Sequence, residues 1–192
     1  MKFKLILAAT AVIAAAAPSM AQVAGGRIEA VVGYDNVRVD LDDFGFAGSE
    51  DKSGVVYGIG AGYDVAVGSG ASLGIDAEAT DASTRYRVVD GADQGRISAG
   101  RDLYVGGRIT AAVSPLFNLY GKLGYTNARY KAAATIGGTT ISGASNLDGI
   151  RAGIGGQYLL GANLYVGTEY RYSNYESGVS RHQVVGALGF RF

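Results

Sequence analysis

The sequence predicts an all-β fold, a closed up-and-down barrel of eight antiparallel strands, on three observations. Apolar residues recur at every second position over long windows, glycine supplies 31 of the 192 residues against 2 prolines and no cysteine, and long polar stretches alternate with short turns. Period two sends successive side chains to opposite surfaces, so each window is a strand facing two different environments. In one window Val55, Tyr57, Ile59, Ala61, Tyr63 and Val65 form the bulky row, while the other row, Gly54, Val56, Gly58, Gly60, Gly62 and Asp64, is mostly glycine. A soluble sandwich would turn its apolar row inward over a packed core. A narrow barrel instead requires small or polar side chains inside, and an apolar exterior then fits lipid.

The elements follow in order. Residues 1–21 read as a cleavable signal peptide: Lys2 and Lys4 precede the apolar run 5–17, and Ser19-Met20-Ala21 has the small-x-small pattern of a cleavage site. That run is short of the roughly 20 residues a membrane-spanning helix needs. Residues 22–192 then form one domain, with two fewer basic than acidic side chains once Lys2 and Lys4 are gone, which argues against nucleic acid as a partner. Without cysteine there are no disulfides and no thiolate metal sites.

The first strand sets Ile28, Ala30, Val32 and Tyr34 against Arg27, Glu29, Val31 and Gly33, and the second is the window above. The third sets Leu73, Ile75, Ala77 and Ala79 against Ser72, Gly74, Asp76, Glu78 and Thr80, and the fourth sets Leu103, Val105, Gly107, Ile109, Ala111 and Val113 against Tyr104, Gly106, Arg108 and Thr110. Past Ser114-Pro115-Leu116, the fifth sets Phe117, Leu119, Gly121, Leu123 and Tyr125 against Asn118, Tyr120, Lys122, Gly124 and Thr126. The sixth pairs Ile150, Ala152, Ile154, Gly156 and Tyr158 with Arg151, Gly153, Gly155 and Gln157; the seventh pairs Leu164, Val166, Thr168, Tyr170 and Tyr172 with Tyr165, Gly167, Glu169 and Arg171. Val184, Gly186, Leu188, Phe190 and Phe192 complete the eighth.

Residues 36–53, 81–100 and 127–146 read as long polar loops, and 174–180 as a shorter fourth, while tight turns fall near 67–70, 114–116 and 161–162. Long loops on one side and short turns on the other are the asymmetry of outer-membrane barrels, which puts the loops outside the cell and both chain ends in the periplasm. Outward aromatics then sort into two girdles, Tyr34, Tyr57, Tyr125, Tyr170 and Tyr172 at the loop side and Tyr63, Phe117, Tyr158, Phe190 and Phe192 at the turn side. Phe117 and Tyr125 are separated by about 27 Å along a strand and about 20 Å along the membrane normal, close to the apolar band.

The inward rows carry seven bases (Arg27, Arg108, Lys122, Arg151, Arg171, Arg181, Arg191) and seven acids (Glu29, Asp35, Asp64, Asp76, Glu78, Asp102, Glu169). Glu29, Asp76, Glu78, Arg108, Lys122, Arg151, Glu169 and Arg171 are expected to form an ionic plug, because eight strands enclose a lumen that side chains fill.

The terminal run 184–192, the segment 119–125 and Glu169-Tyr170-Arg171-Tyr172 resemble the small outer-membrane β-barrels that include opacity proteins and the barrel domain of outer membrane protein A. The resemblance implies an integral protein of a Gram-negative outer membrane, surrounded by lipopolysaccharide and other outer-membrane lipids. It also implies that Leu188, Phe190 and Phe192 serve as the signal read by the barrel-assembly machinery, with periplasmic chaperones as partners during biogenesis. Relatives of outer membrane protein A continue into a peptidoglycan-binding domain; with Phe192 as the last residue here, no wall-anchoring role is expected. A monomer without cofactor or metal is expected.

Three groups of residues bear on possible chemistry. Asp40, Asp42, Asp43, Glu50 and Asp51 could hold a divalent cation, but Phe44 stands where a calcium loop counted from Asp40 needs an oxygen ligand. His182, the only histidine, has Ser180 at strand spacing but no orienting carboxylate and no Gly-x-Ser-x-Gly motif. Gly58-Ile59-Gly60-Ala61-Gly62 lies within strand alternation, where a nucleotide fingerprint would need a helix to follow. The expected function is non-enzymatic: supporting the membrane and presenting extracellular loops for surface interaction or adhesion to a ligand the sequence does not specify. A narrow channel is the alternative, and a lipid-A-modifying enzyme a more remote one.

Overall fold

The computed structural model describes residues 23–40, 49–90, 93–136, 139–176 and 178–192. The signal-peptide segment and most of the acidic stretch after Asp40 lie outside the described residues. Nine strand segments run in chain order: β1 (Gly25–Asp40), β2 (Ser49–Gly68), β3 (Ala71–Ala82), β4 (Arg85–Asp90), β5 (Asp93–Ser114), β6 (Phe117–Ile136), β7 (Thr139–Leu159), β8 (Leu164–Tyr175) and β9 (Val179–Arg191). Every pairing is antiparallel. Eight of the strands form the ring, which a β3–β5 pairing closes, while β4 continues β3 past a break at Ser83 and Thr84 and pairs with β5. The chain end is sewn to its beginning by reciprocal bonds, Gly26 N–H to the Phe192 carbonyl at 2.8 Å and Phe192 N–H to the Gly26 carbonyl at 2.9 Å.

The bulky rows face out. Ile59, Ile75, Leu123 and Ile154 are each 61–70 % exposed, as lipid-facing side chains are when the bilayer is not counted. The turn after β2 is two residues, Ser69 and Gly70, with Gly70 at φ +89°, a conformation a side chain strains to adopt.

The expected long loops are corrected. Strands β2, β5, β6 and β7 run 20 to 22 residues, about twice what crosses a membrane, so most of 127–146 and much of 36–53 and 81–100 is strand rather than loop. The reason is that the alternation inverts above the loop-side tyrosines. On β6, Leu123 and Tyr125 point outward below the boundary; beyond it Asn127, Arg129 and Lys131 face out while Ala128 and Tyr130 turn inward. Water replaces lipid outside, so the polar row now belongs there, and a search for outward apolar residues reads the extension as loop.

Candidate functional site

The interior is built from the inward rows. All fourteen charged residues of those rows are buried, and every cation among them has a carboxylate within 4.0 Å. At the turn side Arg27 bridges Asp64 and Asp76, and Arg191 lies 3.5 Å from Asp64. Glu29 accepts hydrogen bonds from Tyr165 Oη at 2.7 Å and Gln157 Nε2 at 3.2 Å, and the Arg108 guanidinium lies 3.5 Å over the Tyr120 ring.

At mid-barrel Lys122 meets Glu78, Glu169 at 2.9 Å and Asp76 at 4.0 Å, while Arg171 donates to Glu169 at 2.6 Å and Glu78 at 3.0 Å. Toward the loops Asp102 is the hub. It pairs with Arg151, and accepts from Arg181 at 3.0 Å, Thr126 at 2.6 Å and Tyr175 at 2.7 Å. Arg181 in turn forks onto Asp35 at 2.6 and 3.0 Å.

The eight residues expected to form the plug, Glu29, Asp76, Glu78, Arg108, Lys122, Arg151, Glu169 and Arg171, thus lie in one contiguous network. Sequence reasoning assigned no such part to Asp102 and Asp35, nor to Tyr120, Tyr165 and Gln157, although all five sit in inward rows. The inward glycines are the complement of these large groups. A Cβ at Gly62 would overlap the Arg27 guanidinium, and one at Gly189 would overlap the Tyr165 ring.

Above the network lies an apolar layer. Val37, Ala128, Tyr175 and Val179 are buried against one another, with Tyr130 and Leu147 packed beside them. These residues come from β1, β6, β7, β8 and β9, so the layer lies across the lumen on the extracellular side of the ions, with the Tyr175 hydroxyl tying it to Asp102.

On the outer wall the predicted loop-side tyrosines are exposed and polar-tipped: Tyr34 Oη meets Ser53 Oγ at 2.5 Å, Tyr125 donates to Asp148 at 2.5 Å, and Tyr170 Oη meets His182 Nδ1 at 2.7 Å. At the turn side Tyr63, Tyr158, Phe190 and Phe192 are exposed and Phe117 half-buried, with Phe117 opposite Tyr158 and the Phe190 and Phe192 rings 6.5 Å apart. Leu188 shares the outward row of those two rings. Outside the membrane-spanning segments, hydrogen bonds from Tyr125 and Asn127 hold the exposed Asp148 carboxyl below its ordinary range. His182 leans on Tyr172 as well, ring centroids 4.9 Å apart, and Tyr170 is its one hydrogen-bond partner among the described residues.

A closed ring with an ionic lumen, an apolar outer wall and interfacial tyrosines defines an integral β-barrel of a Gram-negative outer membrane. The chain belongs to the outer membrane protein beta-barrel domain family, whose profile matches residues 6–192. Among solved structures it is similar to Ail, the attachment invasion locus protein of Yersinia pestis, crystallised with the heparin analogue sucrose octasulfate: 20 % identity, TM-score 0.56, over 88 % of this chain and 99 % of that one. It is also similar to Neisserial surface protein A, at 14 % identity and TM-score 0.56, over 88 % and 97 % of the two chains. No curated protein matches the chain.

Proposed function

We propose that this protein is a non-enzymatic, sealed barrel that reinforces the outer membrane and binds extracellular protein through the sheet it raises above the surface. The observation that carries this reading is the free edge of β7. Residues 139–148 pair with β6 on one side, but pairing with β8 begins only at Gly149, so among the described residues no strand covers the other side. The Asp148 carbonyl accepts from Glu176 N–H, toward β8, so residues 140, 142, 144 and 146 aim their backbone groups the same way, to the side on which no described strand pairs with them. Such an edge adds a strand from a partner, and here it carries Thr, Ser, Gly and Ala without charge from 139 to 147 and without proline.

Support for the structural half comes from the paired ions and the apolar layer, which fill the lumen with buried side chains. Support for the non-enzymatic half is the placement of His182 on the outer wall between Tyr170 and Tyr172, away from the buried acids. The test uses Ala144→Pro, which removes an outward N–H and leaves the bonds to β6 in place. Cells displaying this variant are expected to lose binding to extracellular protein at unchanged surface abundance. Wild-type binding by Ala144→Pro, or by a variant lacking residues 130–145, would overturn the reading.

A further inference from the structure

The loop-side tyrosine girdle is incomplete, and a run of positive charge stands in its gap. β1, β2, β6 and β8 carry tyrosines at that boundary, but the outward rows of β3 and β5 end at Ala79 and Leu103. The next outward residue on β5 is Arg101, and Arg129 stands beside it on β6, flanking the register shift between Ala99 and Asp102. Above them the ladder places Arg85 and Lys131 on either side of Ser98, and Arg96 opposite Ala133. All five cations are exposed on this outward face.

Unlike the seven interior cations, none of the five has a carboxylate within ion-pair distance among the described residues. Arg101 reaches only Asn127, at 3.4 Å, and Arg96 only Ser98, at 3.3 Å. Among the described residues, Asp81 accepts from the Ala82 amide at 2.7 Å and Asp148 from Tyr125 and Asn127, and neither pairs with one of the five cations. Arg101 sits two residues above the last lipid-facing leucine of β5, about 5 Å higher along the normal, and Lys131 stands about 15 Å above Tyr125. That span coincides with the headgroup layer of the outer leaflet.

We propose that this face binds the phosphates of the phosphorylated glycolipid around the barrel. Arg101 and Arg129 fork onto the phosphates nearest the acyl chains, and Arg85, Arg96 and Lys131 engage anionic groups farther out. A guanidinium matches a phosphate with two parallel N–H donors, and each basic residue near an anionic surface strengthens attachment about five-fold. The face looks sideways, in the direction of the lipid-facing side chains, which favours a neighbouring lipid over a soluble polyanion. The inference rests on the membrane placement and is independent of strand addition at β7.

The test compares wild type, Arg101→Ser/Arg129→Ser and Arg101→Lys/Arg129→Lys in detergent micelles, titrated with purified lipopolysaccharide and followed by native mass spectrometry. The expected result is binding at least ten-fold weaker in the serine variant, partial recovery in the lysine variant, and loss of wild-type binding when the lipopolysaccharide is enzymatically dephosphorylated. Unchanged heat-modifiable gel mobility shows that each variant is folded. Equal binding by the serine variant, or equal binding of the dephosphorylated lipid, overturns the proposal. So does heparin captured by nanodisc-embedded wild type and lost in the serine variant while lipopolysaccharide binding persists, which assigns the face to a soluble polyanion.

Discussion

Lys122 makes the interior vulnerable to a single substitution, because three carboxylates converge on its ammonium group. Lys122→Met leaves Glu78 and Glu169 with Arg171 as their one remaining shared cation among the described residues, and a broken buried pair costs about 3–5 kcal/mol. A fall of that size is expected in the urea-unfolding free energy of the lipid-reconstituted barrel, and neutralising Glu78 as well, by Glu78→Gln, restores part of it. Gly62 tests the complementary point. Gly62→Val drives a side chain into Arg27 and is expected to cost about 1–3 kcal/mol, whereas Gly121→Ala, on the outer wall with nothing nearer than 3.9 Å, leaves the unfolding midpoint within error. At this scale the alternation made each inward residue legible, because parity alone sorts side chains by face. It left the partners unreadable: Arg181 and Asp35 are 146 positions apart, and only the β1–β9 register brings them together.

Among the elements, the strands that cross the bilayer were readable from one contrast, bulky apolar against small or polar. Their extensions were not, because the contrast changes sign where lipid gives way to water. Tyr125, Asn127 and Arg129 share one face of β6, yet only the first reads as part of a lipid-facing row. The extension is held by its own ladder and by the layer around Val37 and Tyr175. Deleting residues 130–145 is expected to leave the barrel folded, with heat-modifiable mobility intact; loss of that mobility would show that the hairpin supports the ring below it. The last strand makes a different demand. Phe192 is joined to Gly26 through reciprocal backbone bonds, so its ring is dispensable for closure, and Phe192→Ala is expected to slow assembly in cells far more than it lowers the stability of barrels already assembled.

Considered as one object, the protein layers three environments along its axis: matched ions through the membrane, an apolar layer above them, and a water-exposed sheet outside. The proposed sealed lumen rests on the first two, the paired ions and the apolar layer. Planar-bilayer recording is expected to show no stable openings of large conductance, and steady porin-like currents would refute the sealed lumen. The account depends most on which way the rows point. Because the chain lacks cysteine, a nitroxide label on a single introduced cysteine reports its surroundings without ambiguity. Labels at Ile59→Cys and Ile154→Cys in reconstituted protein should be relaxed by oxygen and shielded from a water-soluble nickel chelate, with the reverse at Arg129→Cys; nickel access at Ile59 and Ile154 equal to that at Arg129 would contradict the account.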